Sequence, residues 1–120
     1  MARTLIIDDS MFIRRRVAEI LRADDNEILE AANGYEGLDK AEKLKPDIIV
    51  LDLLMPEMDG LEMLNALNER GLTIPVIVLS ADIQDTTQAE CLKLGAVAFI
   101  KKPPIENELL DIVHSILCSK

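Results

Sequence analysis

Five short apolar runs alternate with five longer amphipathic stretches along this chain, and that alternation leaves few architectures open. Thr4-Leu5-Ile6-Ile7, Ile48-Ile49-Val50-Leu51, Val76-Ile77-Val78-Leu79 and Val97-Ala98-Phe99-Ile100 are continuous and rich in branched residues. Runs of that kind suit strands covered on both faces. Glu27-Ile28-Leu29-Glu30-Ala31 mixes charge with its apolar residues and reads as an edge strand. Between the runs, Ile13, Val17, Ile20 and Leu21 fall on one face of a 3.6-residue period, as do Leu109, Ile112, Val113, Ile116 and Leu117. Leu61, Leu64 and Leu67 mark a third helix, and Leu38, Ala41 and Leu44 a fourth. Asp85 to Leu94 is the least amphipathic stretch, with Gly95 placed to end it. Asn33-Gly34, Pro46, Gly71, Pro75 and Pro103-Pro104 mark the boundaries. The expected fold is α/β: a doubly wound, five-stranded parallel sheet with five helices on its two faces. All strand carboxyl ends then share one edge, where such sheets bind ligands.

A length of 120 residues fits one domain, expected to span 1–120. The chain is 49% hydrophobic but only 2% aromatic, so branched aliphatic side chains must fill the core. A net charge of −9 argues against nucleic acid and anionic membrane surfaces as partners, and suits a cation or a basic protein surface. Cys91 and Cys118 lack metal-ligand spacing and read as free thiols. Met1-Ala2-Arg3 leads straight into an apolar strand, so no signal peptide is expected. No apolar run approaches the ~20 residues that span a bilayer, so a cytoplasmic location is expected.

The residues that follow the strands carry chemistry. Asp8-Asp9 follow the first, Asp52 the third, Ser80 the fourth and Lys101-Lys102-Pro103 the fifth. Taken singly, Asp8-Asp9 before Ser10 serves as well to cap a helix, and a lysine after a strand is ordinarily solvated. Together they converge on one rim. Three facing carboxylates repel unless a cation sits among them, and an all-oxygen set without His or Cys selects a hard ion, Mg²⁺ ahead of Zn²⁺. A divalent ion, an aspartate nucleophile, a lysine and a hydroxyl form a site for a phosphoryl group. A flavin-phosphate loop would be neutral and rich in glycine and hydroxyls, which the Asp8-Asp9 pair is not.

Four blocks carry a family resemblance: Asp8-Asp9-Ser10; Leu51-Asp52-Leu53-Leu54-Met55-Pro56-Glu57-Met58-Asp59-Gly60; Ser80-Ala81; and Gly95-Ala96 with Lys102-Pro103. In order and spacing they resemble the receiver domain of two-component response regulators, over essentially the whole chain. The layout is similar to the single-domain, CheY-like chemotaxis regulators. The resemblance implies a flavodoxin-like strand order 2-1-3-4-5 and a signalling switch, not an enzyme with an external substrate. Asp52 is the implied phosphoacceptor, supplied by the phosphohistidine of a histidine kinase or histidine phosphotransfer domain. Asp8, Asp9, Asp52 and the backbone carbonyl of Leu54 are the implied Mg²⁺ ligands. Lys102 is the implied phosphate contact, with a cis Lys102-Pro103 bond. Ser80 is the implied hydrogen-bond donor to the phosphoryl group, and Phe99 the aromatic switch. Output partners expected on this basis include a flagellar motor, with a dedicated phosphatase as a further candidate.

Two positions depart from the commonest family pattern: Leu54 is apolar and Asp82 acidic, and both border the route of the water that hydrolyses the phosphoryl group. Pro104 stiffens entry to the last helix. A phosphorelay intermediate or phosphate sink would use the same site, so the motifs do not separate it from a chemotaxis switch. A haloacid-dehalogenase-type hydrolase would need an acid two residues past Asp52, where Leu54 stands, and a substrate cap. Arg14-Arg15-Arg16 reads either as a solvated helix face or as a docking patch for an acidic partner. His114 reads as a surface or packing residue, and Met55 and Met58 as gap-filling contacts.

Overall fold

The computed structural model describes residues 2–23, 26–55, 57–81 and 84–118. Strands β1 (Ala2–Ile7), β2 (Asn26–Ala31), β3 (Ile48–Asp52), β4 (Val76–Ser80) and β5 (Ala98–Lys101) alternate with helices α1 (Met11–Arg22), α2 (Gly34–Leu44), α3 (Gly60–Glu69), α4 (Asp85–Lys93) and α5 (Glu106–Cys118). The strands pair in parallel in the order β2-β1-β3-β4-β5. This is the flavodoxin-like arrangement the resemblance implied.

Strand side chains point alternately to the two faces, and the core divides accordingly. Leu5, Ile7, Ile49, Leu51, Val76 and Val78 pack with Leu38 and Ala41 of α2, Met63, Leu64 and Leu67 of α3, and Cys91 of α4. Ile6, Ile48, Val50, Ile77, Leu79 and Ile100 pack with Val17, Ala18, Ile20 and Leu21 of α1 and Leu109 and Val113 of α5. The three central strands are buried on both sides, which is why their sequences show no polar alternation.

Two sequence expectations need correction. β5, whose run suited a strand covered on both faces, lies at the edge that the order 2-1-3-4-5 gives it and is only partly covered, with Ile100 its one buried residue. Leu44, one of the residues that marked its helix, is the last residue of α2 and is exposed, and the chain leaves the helix at Lys45 in a left-handed conformation (φ 45°). Local chemistry sets the other boundaries. Ser10, Asn33 and Asp59 each accept a hydrogen bond from a first-turn N–H of the helix that follows. Gly95, at φ 106°, follows α4, as its position in the sequence suggested. Cys91 is a buried free thiol and Cys118 an exposed one. No helix among the described residues is long and apolar enough to cross a membrane.

Candidate phosphoryl and metal site

The carboxyl ends of β1, β3, β4 and β5 deliver the site. Asp8 and Asp52 have the strand parity of Ile6 and Val50, which puts them on the α1/α5 side of the sheet. Both are buried, at 2% and 4% exposure, which is unusual for carboxylates. Lys102, just past β5, explains how they are tolerated. Its ammonium lies 3.0 Å from Asp8 Oδ2 and 3.0 Å from Asp52 Oδ1. The Lys102 N–H donates to the Ser80 carbonyl at 2.8 Å, continuing the β4–β5 pairing to the rim, and the Lys102-Pro103 peptide is cis. Lys101 points to solvent.

The loop behind Asp52 is held close to it. The Gly60 N–H donates to the Leu53 carbonyl at 2.9 Å. A Cβ at Gly60 would come within 2.7 Å of Leu53 Cα and 2.9 Å of the Asp52 carbonyl oxygen, so only glycine fits. Leu54 donates its N–H to Asp52 Oδ1 at 3.4 Å and leaves its side chain 64% exposed. Met55 and Met58 pack inward, Met58 against Gly34. Pro56 of this loop, and Asp82 with Ile83 after β4, lie outside the described residues.

The electrostatics of the rim are unbalanced. Burial, and then the negative charge of Asp8, push the Asp52 carboxyl from 3.8 up to about 6. The hydrogen bond and charge of Lys102 and the Leu54 N–H offset only part of this. Burial alone would lower the Lys102 ammonium, but the two carboxylates outweigh it and hold the group above its ordinary value. One cation therefore serves two buried anions, with Asp9 exposed beside them.

A divalent cation suits this arrangement. Carboxylate oxygens of Asp8, Asp9 and Asp52 all lie within 4.8 Å of one another. Asp8 Oδ2 is buried and meets the Lys102 ammonium at 3.0 Å, an ammonium it shares with Asp52. Buried carboxylates that outnumber the one ammonium between them, in an all-oxygen donor set, suit a hard ion.

Ser80 and Phe99 sit behind this rim. Ser80 is fully buried at the end of β4. Phe99 pairs with Val78 across β4–β5 and is half-buried against the core cluster shared with α3 and α4. By strand parity Val78 and Ser80 face that same side, so Ser80 and Phe99 are diagonal neighbours.

The arginine trio of α1 does not act as one patch. Arg15 and Arg16 are exposed, while Arg14 turns inward, donating to the Asp8 carbonyl at 2.6 Å and to Glu30 Oε1 at 3.1 Å. Its link to the acidic turn was not read from the sequence. The available signal was its place one turn inside the cap that begins at Ser10. His114 is exposed on α5.

A five-stranded sheet in this order, with an acidic rim bridged by a lysine, defines a class of flavodoxin-like α/β domain built around buried aspartates. Comparison with known proteins narrows that class. A profile for the response regulator receiver domain matches residues 4–114, and the chain belongs to that family. It is 42% identical over 115 residues to the chemotaxis protein CheY of Listeria monocytogenes, covering 95% of this chain and 97% of that protein. It is 43% identical over 113 residues to a protein-glutamate methylesterase/protein-glutamine glutaminase of Archaeoglobus fulgidus, covering 92% of this chain. The chain spans only 32% of that relative's length. Among solved structures, the chemotaxis protein CheY4 of Vibrio cholerae superposes with a TM-score of 0.90 at 31% identity, covering 97% of this chain and 98% of that one. A CheY-like receiver domain protein of Methanospirillum hungatei gives 0.93 at 28% identity, covering 99% of this chain and 95% of that one.

Proposed function

We propose that residues 1–120 form a receiver domain whose Asp52 accepts a phosphoryl group from a phosphohistidine in a Mg²⁺-dependent reaction. The domain then changes its binding of an output partner in chemotaxis. The observation that carries this reading is the Lys102 ammonium lying 3.0 Å from both Asp8 and Asp52 at the rim. A lysine so placed neutralises the nucleophile before reaction and can move to a phosphoryl oxygen afterwards.

A carboxylate oxygen of Asp52 attacks phosphorus, the P–N bond to the donor imidazole breaks, and its electron pair returns to the ring nitrogen. The product is an acyl phosphate on Asp52. Asp8, Asp9, Asp52 and the Leu54 carbonyl would hold the ion, which would supply positive charge to the phosphoryl oxygens. Burial of Asp52 limits access of water to the product. Ser80 donates its hydroxyl to a phosphoryl oxygen, and the shift of its loop gives Phe99 room to turn inward. The upstream partner is a histidine kinase or histidine phosphotransfer domain in the cytoplasm.

Incubation with a small-molecule phosphodonor, followed by intact mass, tests the reading. One phosphoryl group per chain is expected with Mg²⁺, and none with chelator or in Asp52→Asn. Labelling that survives either change refutes the assignment. Transfer onward to a histidine phosphotransfer domain faster than hydrolysis would place the protein in a relay instead.

A further inference from the structure

We propose that Arg14 is a positioning residue of the divalent-ion site, fixing the Asp8–Asp9 peptide so that both carboxylates face the ion. The inference deepens the reading of the acidic rim as a Mg²⁺ site and rests on it. Asp8 is restrained at three points. Its N–H donates to the Ala31 carbonyl at the end of β2 (3.1 Å), its Oδ1 accepts from the Ser10 N–H (2.9 Å), and its carbonyl accepts from the Arg14 guanidinium (2.6 Å). What remains is Oδ2, buried at the rim and met there by the Lys102 ammonium at 3.0 Å. Asp9 has no such restraints, being exposed with its carboxylate accepting no hydrogen bond from the described residues. Its direction is set by the backbone it grows from, and the Asp8 carbonyl belongs to the peptide joining it to Asp8.

The guanidinium is itself held. Its side chain is only 15% exposed, and its Nε donates to Glu30 Oε1 at 3.1 Å, while Lys40 of α2 donates to the Glu30 carbonyl. Glu30 lies opposite Ile6 in the β1–β2 register, so edge strand, helix and acidic turn are joined through one planar fork. A lysine ammonium is a point charge and does not reproduce that two-way geometry.

Simple electrostatics and positioning predict opposite signs. A positive charge at the Asp8 carbonyl repels a cation, so its removal should tighten binding if charge alone mattered. Positioning predicts weaker binding, on the order of tenfold, as for other groups that orient metal ligands.

Mg²⁺ affinity is to be measured without phosphodonor, by the ion-dependent rise of Tm and independently by Mn²⁺ paramagnetic titration. Arg14→Gln is expected to bind about tenfold more weakly. Arg14→Lys and Glu30→Gln should weaken binding less, and the exposed Arg15→Gln not at all. Should Arg14→Gln fail to fold in chelator, Arg14→Lys and Glu30→Gln carry the test, and parental affinity in both overturns the proposal. Unchanged or tighter binding in folded Arg14→Gln also overturns it. Asp9→Asn separates the two levels: if it retains parental affinity, the ion site itself is wrong. If it loses binding while Arg14→Gln does not, only the role of Arg14 fails.

Discussion

Asp52 must be both buried and charged to act as a nucleophile, and without an ion those demands conflict. With its carboxyl pushed from 3.8 to about 6, the native state binds the Asp52 proton more tightly than the unfolded chain does. The stabilisation from that proton is therefore present below about pH 3.8 and lost as pH rises through about 6. Above that window ionised Asp52 lowers the stability of the ion-free protein. In chelator, Asp52→Asn should consequently be more stable than the parent at pH 7.5, and the gap should close towards pH 4. Urea unfolding of the two proteins across that range measures it, and a gap that is flat or reversed would remove the electrostatic account. Mg²⁺ should raise the stability of the parent at pH 7.5 far more than that of the variant. Leu54 makes a second residue-scale difference. Its side chain is exposed and apolar, and cannot hydrogen-bond a water as an amide could. Leu54→Asn should change the rate of unassisted dephosphorylation several-fold, while the same substitution at Leu44 leaves it unchanged. Equal rates for Leu54→Asn and the parent would show that the position does not control water.

In the proposed switch, the elements beyond the rim would transmit phosphorylation. Ser80 and Phe99 belong to adjacent strands and face the side that carries α3 and α4. α4 buries only Cys91, fewer residues than any other helix, so the least buried contact opposes its movement. Ser80→Ala should still accept phosphate, because Asp52 and Lys102 remain. It should weaken the coupling between phosphorylation and partner affinity by at most roughly 1–3 kcal/mol. Partner affinity with and without a phosphoryl mimic, compared for parent and variant, reads this directly. An unchanged ratio would rule out the route through Ser80 and Phe99. Legibility in the sequence also varied by element. Central strands announced themselves because burial on both faces demands an uninterrupted apolar run. β5 shows a similar run, yet nothing local distinguishes a central strand from an edge that is only partly covered. Arg14 was hidden for a different reason. Consecutive helical residues are about 100° apart, so three arginines in a row point in three directions. Which one turns inward depends on Glu30 and the Asp8 carbonyl, both brought near by folding.

At the scale of the whole molecule, one sheet serves two cores and one rim. Ile6, Ile48, Val50, Ile77 and Leu79 knit α1 and α5 to the face that bears Asp8 and Asp52. Leu5, Ile49, Leu51 and Val78 knit α2, α3 and α4 to the other, towards which Ser80 points. The two sets of functional groups therefore sit on opposite sides of the same strand ends, joined by the sheet. Leu51→Ala, in the central strand one residue before Asp52, should cost about 2–5 kcal/mol of stability by leaving a cavity among fully buried neighbours. A loss below about 1 kcal/mol in chemical unfolding would mean that this core collapses around the gap. The proposed chemistry makes a single new bond, that between an Asp52 oxygen and phosphorus. Borohydride reduces an aspartyl acyl phosphate to homoserine, leaving a permanent mass change at the residue that carried the phosphoryl group. After phosphodonor, Mg²⁺ and borohydride, peptide mass mapping should find homoserine at position 52 and unmodified aspartate at positions 8 and 9. Homoserine at Asp8 or Asp9, or phosphorylated protein in which no aspartate is reduced, would contradict the account.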